Sequence, residues 1–416
     1  MPRAPGRIDI GGDRRISELL AEALLEAVRD DVIADSLTHP VHSYPARLHP
    51  ATARALVELV VDRMRDGTVL LDPFCGSGTT LVEARAVNQP AIGIDLNPLA
   101  VRLARVKTWT PSVPRRRNAR DAGMRIAAEV MAAGKDARRS GFEAAPLRAP
   151  AGFDPNARQR RIAKWFAPHV RRELEAIATA IEDLRPDDPD VAEVLTMALS
   201  GVLYKVSSRK SDTDPTWVER NISRGAAARW FRDRVSMIVA GLDDLSVGRV
   251  PATIVHEADA RDLASLKLPP IGGVVTSPPY AGTYDYADHH RLRFDFFGIR
   301  HRAFDDGELG ARRGFSANSV EASRRWKEAQ IAWLGALTDA MVPGAWAAFV
   351  IGDSLAGTRA VAADDDLRGA LDDRMAVVAW ASQQRPMLGA AERQAFGERG
   401  KREHVIIVER RPDPTP

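Results

Sequence analysis

Two short stretches carry residue types whose spacing could do chemistry. In the first, Asp72-Pro73-Phe74-Cys75-Gly76-Ser77-Gly78-Thr79-Thr80, an acid ends the apolar run Val69-Leu70-Leu71; two glycines and two hydroxyl residues follow. Gly76 and Gly78 permit backbone dihedrals and a close approach that a Cβ would block. A helix opening at Thr79 would turn its free N–H groups toward that loop. A turn of this kind holds a ligand at the carboxyl end of a parallel strand. The second stretch, Thr276-Ser277-Pro278-Pro279-Tyr280, follows the apolar run Gly273-Val274-Val275. Its prolines fix φ twice and remove two donors. That leaves a rigid tip with outward carbonyls, the Ser277 hydroxyl and the Tyr280 ring. A glycine turn alone is often only a tight connection, and Pro-Pro-Tyr can be a loop or a polyproline ligand. A solvated loop does not explain why a buried strand feeds straight into it.

The elements that must position these stretches alternate between two periods. Residues 14–30 and 51–64 read as amphipathic helices. Between them lies His42-Ser43-Tyr44-Pro45-Ala46-Arg47-Leu48-His49-Pro50, where the prolines exclude a helix. Ala91-Ile92-Gly93-Ile94-Asp95 reads as a second strand ending in an acid. Asp95 has the spacing from the glycine turn of a ribose-hydroxyl acceptor, and it or Asn97 can equally cap the next helix. Further strands are expected at 252–256, 273–276, 345–351, 375–382 and 404–408, with a helix over 321–341. Strands that alternate with helices imply a largely parallel sheet. The last two have no helix between them and so could pair antiparallel. Residues 298–320 and 383–401 read as loops, the former mobile.

Residues 108–250 break this pattern. They show helical periodicity, with helices expected over 158–184, 190–204 and 225–245, and no clear strand. Arginines cluster there, as in Arg115-Arg116-Arg117 and Arg209-Lys210, with tryptophans between the clusters. Arginines neutralise phosphates and aromatic rings stack on exposed bases. The alternative is a solvated charged face, which the nearby acids support. The polar segment 205–220 is the expected nucleic-acid-contacting loop.

Taken together, the two motifs resemble the S-adenosylmethionine-dependent methyltransferases that modify exocyclic amino groups of DNA bases, cytosine N4 or adenine N6. The resemblance covers roughly residues 39–107 and 252–410. It implies an α/β fold with a Rossmann-like class I methyltransferase sheet, mostly parallel with an antiparallel last strand, plus an all-helical insertion. The halves would be 1–107 on the cofactor side and 251–416 on the catalytic side, with 108–250 between them as a target-recognition region. The insertion starts before the third strand, which departs from the family's arrangement. Cofactor contacts are expected from Tyr44, Asp72, Phe74, Gly76, Gly78, Thr79, Asp95, Asn97, Asp259 and Ala260. Asp259 is placed to accept the cofactor's adenine amino group, or is a plain turn residue. Ser277, Pro278, Pro279 and Tyr280 form the implied catalytic tip, with Tyr280 stacking on the target base. Arg115, Arg116, Arg117, Arg209, Lys210 and Tyr284 are the candidate DNA contacts. Ser before the prolines favours cytosine N4 over adenine N6. The rivals are a tRNA-guanine methyltransferase on the same sheet and a decayed, non-catalytic DNA-binding protein.

Bulk properties bound the rest. The chain has 416 residues, 45% of them hydrophobic, and a formal net charge of +3. One cysteine excludes an internal disulfide and a Cys-based zinc site. No apolar run approaches the roughly 20 residues that span a bilayer, and no secretory signal is read at the start. A cytoplasmic protein is expected, acting on DNA, with a cognate restriction or defence system as a candidate partner. His289-His290 lacks a metal-binding spacing such as His-Glu-x-x-His, so no metal is expected.

Overall fold

The computed structural model describes residues 6–29, 31–45, 47–140, 160–214, 216–246, 251–387 and 389–413. The first half runs β1 (Ile8–Gly12), α1 (Arg14–Arg29), α2 (Pro50–Val61), β2 (Val69–Asp72), α3 (Thr79–Ala86), β3 (Ala91–Asp95) and α4 (Pro98–Lys107). The insertion contributes α5 (Val113–Ser140), α6 (Pro168–Leu184), α7 (Pro189–Val206) and α8 (Ala226–Leu245). The sheet resumes with β4 (Thr253–Glu257) and β5 (Ile271–Thr276). Helices α9 (Tyr286–Phe297), α10 (Arg302–Gly307), α11 (Arg312–Ala317) and α12 (Ser319–Ala340) lead to β6 (Met341–Gly352). A small hairpin, β7 (Ser354–Ala356) with β8 (Arg359–Val361), precedes α13 (Ala363–Ala370), β9 (Met375–Arg385), α14 (Ala390–Phe396) and β10 (Lys401–Arg410).

The large sheet has the order β1-β9-β10-β6-β5-β2-β3-β4. From β4 through β6 every pairing is parallel; β10 then inserts antiparallel between β6 and β9. Apart from β1, this is the expected class I methyltransferase sheet. β2 has β3 on one side and β5 on the other, so the strand order reverses there. In an open parallel sheet, the carboxyl ends at such a reversal frame a crevice. Both motifs leave from that point.

Helices cover both faces, which parallel strands require. On one face Leu20, Leu24, Leu56, Leu81 and Val101 pack on Leu70, Val275 and Val405. On the other, Trp333, Leu334 and Leu337 pack on Leu71, Ile92, Val274 and Phe349. All six residues of β5 are buried, which fits a central strand without polar–apolar alternation. A third cluster joins the insertion to the rest of the molecule. Leu99, Leu103 and Val106 of α4 and Leu292, Phe294 and Phe296 of α9 share it with Leu174, Leu195, Leu199 and Phe231. The insertion and the sheet domain therefore share a hydrophobic core through α4 and α9.

Several sequence expectations are corrected here. The helix expected over 158–184 begins at Pro168 instead, after residues 160–163 form a separate helical stretch and a turn. Pro168 sits in the first turn, where its missing N–H costs nothing. Arg158 lies outside the described residues. Residues 298–320 fold into α10, α11 and the start of α12, and the 383–401 loop contains the end of β9 and α14. Strand β1 pairs antiparallel with β9 through Ile8↔Gln383 to Gly12↔Ala379. No strand is expected there from the sequence; the Gly11-Gly12 pair weakens the strand signal. No helix among the described residues is long and apolar enough to cross a membrane.

Candidate active site

The first motif forms a left-handed elbow. Gly76 has φ +49° and Gly78 φ +85°. A Cβ on Gly78 would also stand 3.0 Å from the Ala104 Cβ of α4. Gly78 lines no part of the cleft described below; it lets α3 start in the right direction and pack on α4. Gly78→Ala is expected to cost about 2–3 kcal/mol of stability, the scale of a strained left-handed residue, read as a lower urea midpoint. An unchanged midpoint would show that the elbow tolerates a side chain.

Two carboxylates, Asp72 buried and Asp95 half-buried, tie the elbow to its neighbouring strands. Asp72 Oδ1 accepts from the Phe74 N–H at 3.1 Å and from the Thr276 hydroxyl at 2.7 Å. The second bond joins the two motifs directly, because Thr276 immediately precedes Ser277. Asp95 Oδ2 accepts from the Gly76 N–H at 2.8 Å, and its Oδ1 from the Asn97 N–H at 2.8 Å. Asn97 caps α4 through the Leu99 N–H at 3.0 Å and donates from Nδ2 to the Tyr44 hydroxyl at 3.1 Å. The expected cap and a place at the site thus coincide in Asn97.

Burial pushes both Asp72 and Asp95 up to about 6, against the hydrogen bonds that favour their ionised forms. Asp72 raises Asp95 further by charge repulsion. Neither has an ion pair among the described residues. The sign follows from proton counting. Between pH 4 and 6 the folded state binds more protons than the unfolded chain, so each group lowers stability as pH rises through that window. Asn at 72 keeps an acceptor oxygen for Phe74 and Thr276 but carries no charge. Asp72→Asn should therefore gain on the wild type by up to about 3 kcal/mol between pH 4 and pH 7. Urea unfolding at both pH values measures this, and parallel stabilities would contradict it.

A cleft with about 700 Å³ of atom-free space, its open mouth included, lies at the strand ends. Tyr44, Phe74, Gly76, Asp95, Asn97, Asp259, Ala260, Ser277 and Pro279 all line it. A smaller hollow of about 340 Å³ adjoins it and shares Tyr44, Phe74, Gly76 and Ser277. Asp72, Thr79 and Arg47 line the smaller hollow, together with Ser77, whose buried hydroxyl has no partner among the described residues. Asp259 faces the cleft, but its carboxylate caps the Arg261 N–H at 2.9 Å and is ion-paired with the Arg261 guanidinium. Tyr286, Phe304, Glu308 and Leu309 also line the cleft and were missed by sequence reasoning. Glu308 is held by the Tyr286 N–H at 2.6 Å and Arg313 at 2.6 Å. The only sequence signal for these residues was their position just after the second motif.

Pro278 and Tyr280 face a different hollow, lined also by Trp326, Gln330 and Asp366. Tyr280 keeps its hydroxyl 3.4 Å from Ser277 Oγ. The expected stacking platform is therefore turned away from the main cleft.

The candidate DNA contacts divide sharply. Arg116 is buried, paired with Asp243 and bonded to the Pro111 carbonyl at 2.9 Å. Arg209 is buried too, with its guanidinium over the Tyr204 ring and reaching the Asp212 and Asp288 carbonyls. These two are corrected from surface charges to interior fastenings. Arg115 is held by Asp188 at 2.5 Å and Asp190 at 3.1 Å, and Lys210 by Asp214 at 2.7 Å. Arg117 is exposed. Tyr284 is half-buried against Tyr286 and His289, with ring centres 5.3 and 5.9 Å away.

On the β6, β10 and β9 side of the sheet, Ser382, His404 and Asp353 form a hydrogen-bonded chain of 2.7 and 3.2 Å that resembles a hydrolytic triad. All three are buried, and none lines the cleft. The chain ties β9, β10 and β6 together.

Comparison with known proteins fits this geometry. Residues 26–106, which include the elbow and Asp95, match the family model described as DNA methylase. The chain is similar to DNA methylases. It is 26% identical over 283 residues to the Type II methyltransferase M.MvaI of Kocuria varians, a match covering 64% of this chain and 58% of that protein. The Type II methyltransferase M.MjaII of Methanocaldococcus jannaschii is 22% identical over 365 residues, covering 70% and 67%. A shorter match, 41% identical over 54 residues, links 13% of the chain to 15% of a tRNA (guanine(10)-N2)-dimethyltransferase of Methanocaldococcus jannaschii. The chain thus spans about two thirds or less of the proteins it resembles.

Proposed function

We propose that this chain transfers a methyl group from S-adenosylmethionine to an exocyclic amino group of a DNA base, cytosine N4 in preference to adenine N6. One observation carries the reading: the Thr276–Asp72 bond and the shared Tyr44–Gly76–Ser277 walls bring the elbow and the Ser-Pro-Pro-Tyr tip to one cleft.

The residues present suit the donor. Asp95 offers carboxylate oxygens to hydroxyl groups. The uncompensated Asp72 and Asp95 favour a cationic ligand. The smaller hollow offers the Arg47 guanidinium, the unpartnered Ser77 hydroxyl and the start of α3 to a carboxylate. When bound, S-adenosylmethionine supplies a methyl group activated by a sulfonium charge.

The chain's own residues handle the amine. Its lone pair is delocalised into the ring, so it needs hydrogen-bond acceptors that favour positive charge on nitrogen. Ser277 Oγ, which lines the cleft, supplies one, and the rigid proline pair that follows holds it in place before the substrate arrives. No covalent nucleophile is required. The target atom is hidden inside a duplex, so the base is taken flipped out or single-stranded. Nucleic-acid contact falls to exposed groups of the insertion, Arg117 and Trp217, the latter 58% exposed.

A tritiated-methyl transfer assay with duplex DNA, tRNA and protein side by side tests the reading. Label in DNA is the expected result. Label in tRNA alone would favour the shorter match, and no label in any substrate would favour a decayed enzyme.

A further inference from the structure

The loop that walls the cleft is anchored to the insertion by one connected set of bonds. His42 Nε2 lies 3.0 Å from Ser200 Oγ on α7. The Ser43 hydroxyl donates to Asp212 Oδ2 at 2.7 Å. Arg293 of α9 reaches the same Asp212 oxygen at 3.0 Å and Ser43 Oγ at 3.4 Å. Its other arm lies 3.3 Å from His290 Nδ1, and the His290 ring stacks on Tyr44 at 4.8 Å and 28°. Arg293 is fully buried, and Asp212 is the carboxylate paired with it among the described residues. Asp212 sits on the insertion loop that follows α7, where Arg209 and Trp217 bridge.

We infer that Asp212 and Arg293 are positioning residues for Tyr44, so that the insertion loop sets the shape of the cofactor pocket. This rests on the function proposed above. A buried guanidinium is tolerated only while paired. Removing Asp212 therefore forces Arg293 to move, and His290 and Ser43 move with it. Tyr44 then loses both its stacking partner and the anchor of the residue before it. Because Tyr44 walls both hollows, the result is weaker cofactor binding at a site that Asp212 does not line. The insertion thus acts on the reaction through the loop 42–49, whatever else it contacts.

The test is calorimetric binding of S-adenosylhomocysteine to the full chain and its variants. Asp212→Ala is expected to weaken binding about tenfold, within the usual range of site–site coupling. In a Tyr44→Leu background the same change should cost less than about twofold, because its route is gone. General loosening would instead cost the same factor in both backgrounds. Ser43→Ala leaves the ion pair intact and is expected to lose about threefold; it decides the matter should Asp212→Ala fail to fold. Unchanged affinity in Asp212→Ala, or in Ser43→Ala where that variant decides, overturns the link, as does an equal loss in both backgrounds. A wild type that binds no S-adenosylhomocysteine would overturn the proposed function itself and the link with it.

Discussion

Asp95→Ala is expected to weaken S-adenosylhomocysteine binding by about 100-fold or more. The Asp95 carboxylate holds the Gly76 and Asn97 N–H groups at 2.8 Å each, and Asn97 in turn holds the Tyr44 hydroxyl. One deletion therefore loosens the elbow, the start of α4 and the aromatic wall together. A hydrogen bond to a charged group contributes about 1.5–3 kcal/mol, and each 1.4 kcal/mol is about a factor of ten in affinity. One charged bond from Asp95 to a ligand hydroxyl, together with the cost of re-ordering the loosened elbow on binding, accounts for the expected loss. Global unfolding does not explain it, because the change also removes a half-buried charge that folding disfavours. Calorimetry alongside a thermal melt separates the effects. Affinity within threefold of wild type would contradict the role given to Asp95.

Ser277→Ala should do the reverse. Among the described residues Ser277 Oγ has one polar partner, the Tyr280 hydroxyl at 3.4 Å. Its loss leaves the sheet and the elbow undisturbed. On the proposed function, what disappears is an acceptor facing the nitrogen as charge develops, and losing one preorganised group of that kind costs about 10²-fold in turnover. We expect kcat and kcat/KM to fall together by about that factor, the pattern of an interaction made only in the transition state. S-adenosylhomocysteine affinity should change less than about twofold. Equal losses in turnover and in affinity would show that Ser277 shapes the cleft instead.

The sequence made the elbow, the tip and Asp95 legible because each is a local signal: turn chemistry, a rigid dipeptide, an acid at a fixed distance from a glycine turn. The sheet was legible for a similar reason, since short apolar runs bounded by turns survive without knowledge of their partners. What was hidden depends on contacts across the chain. Ser43, Asp212 and Arg293 each read as ordinary polar residues until folding places them within hydrogen-bonding distance. Arg116 and Arg209 read as surface charge because partners that hold them, Asp243 for Arg116 and the Asp288 carbonyl for Arg209, lie far away in the sequence. Tyr280 illustrates a third limit. Composition shows a ring beside the tip, but the direction it faces is set by packing against Trp326 and β6.

The proposed reaction requires the elbow and the tip to meet at one cleft where a base amine is methylated. The most direct measurement is nucleoside mass analysis of DNA from cells expressing the wild type or Ser277→Ala. The expected result is N4-methylcytosine with the wild type and its near disappearance with the variant. Neither N4-methylcytosine nor N6-methyladenine above background with the wild type, or equal amounts with both proteins, would contradict it.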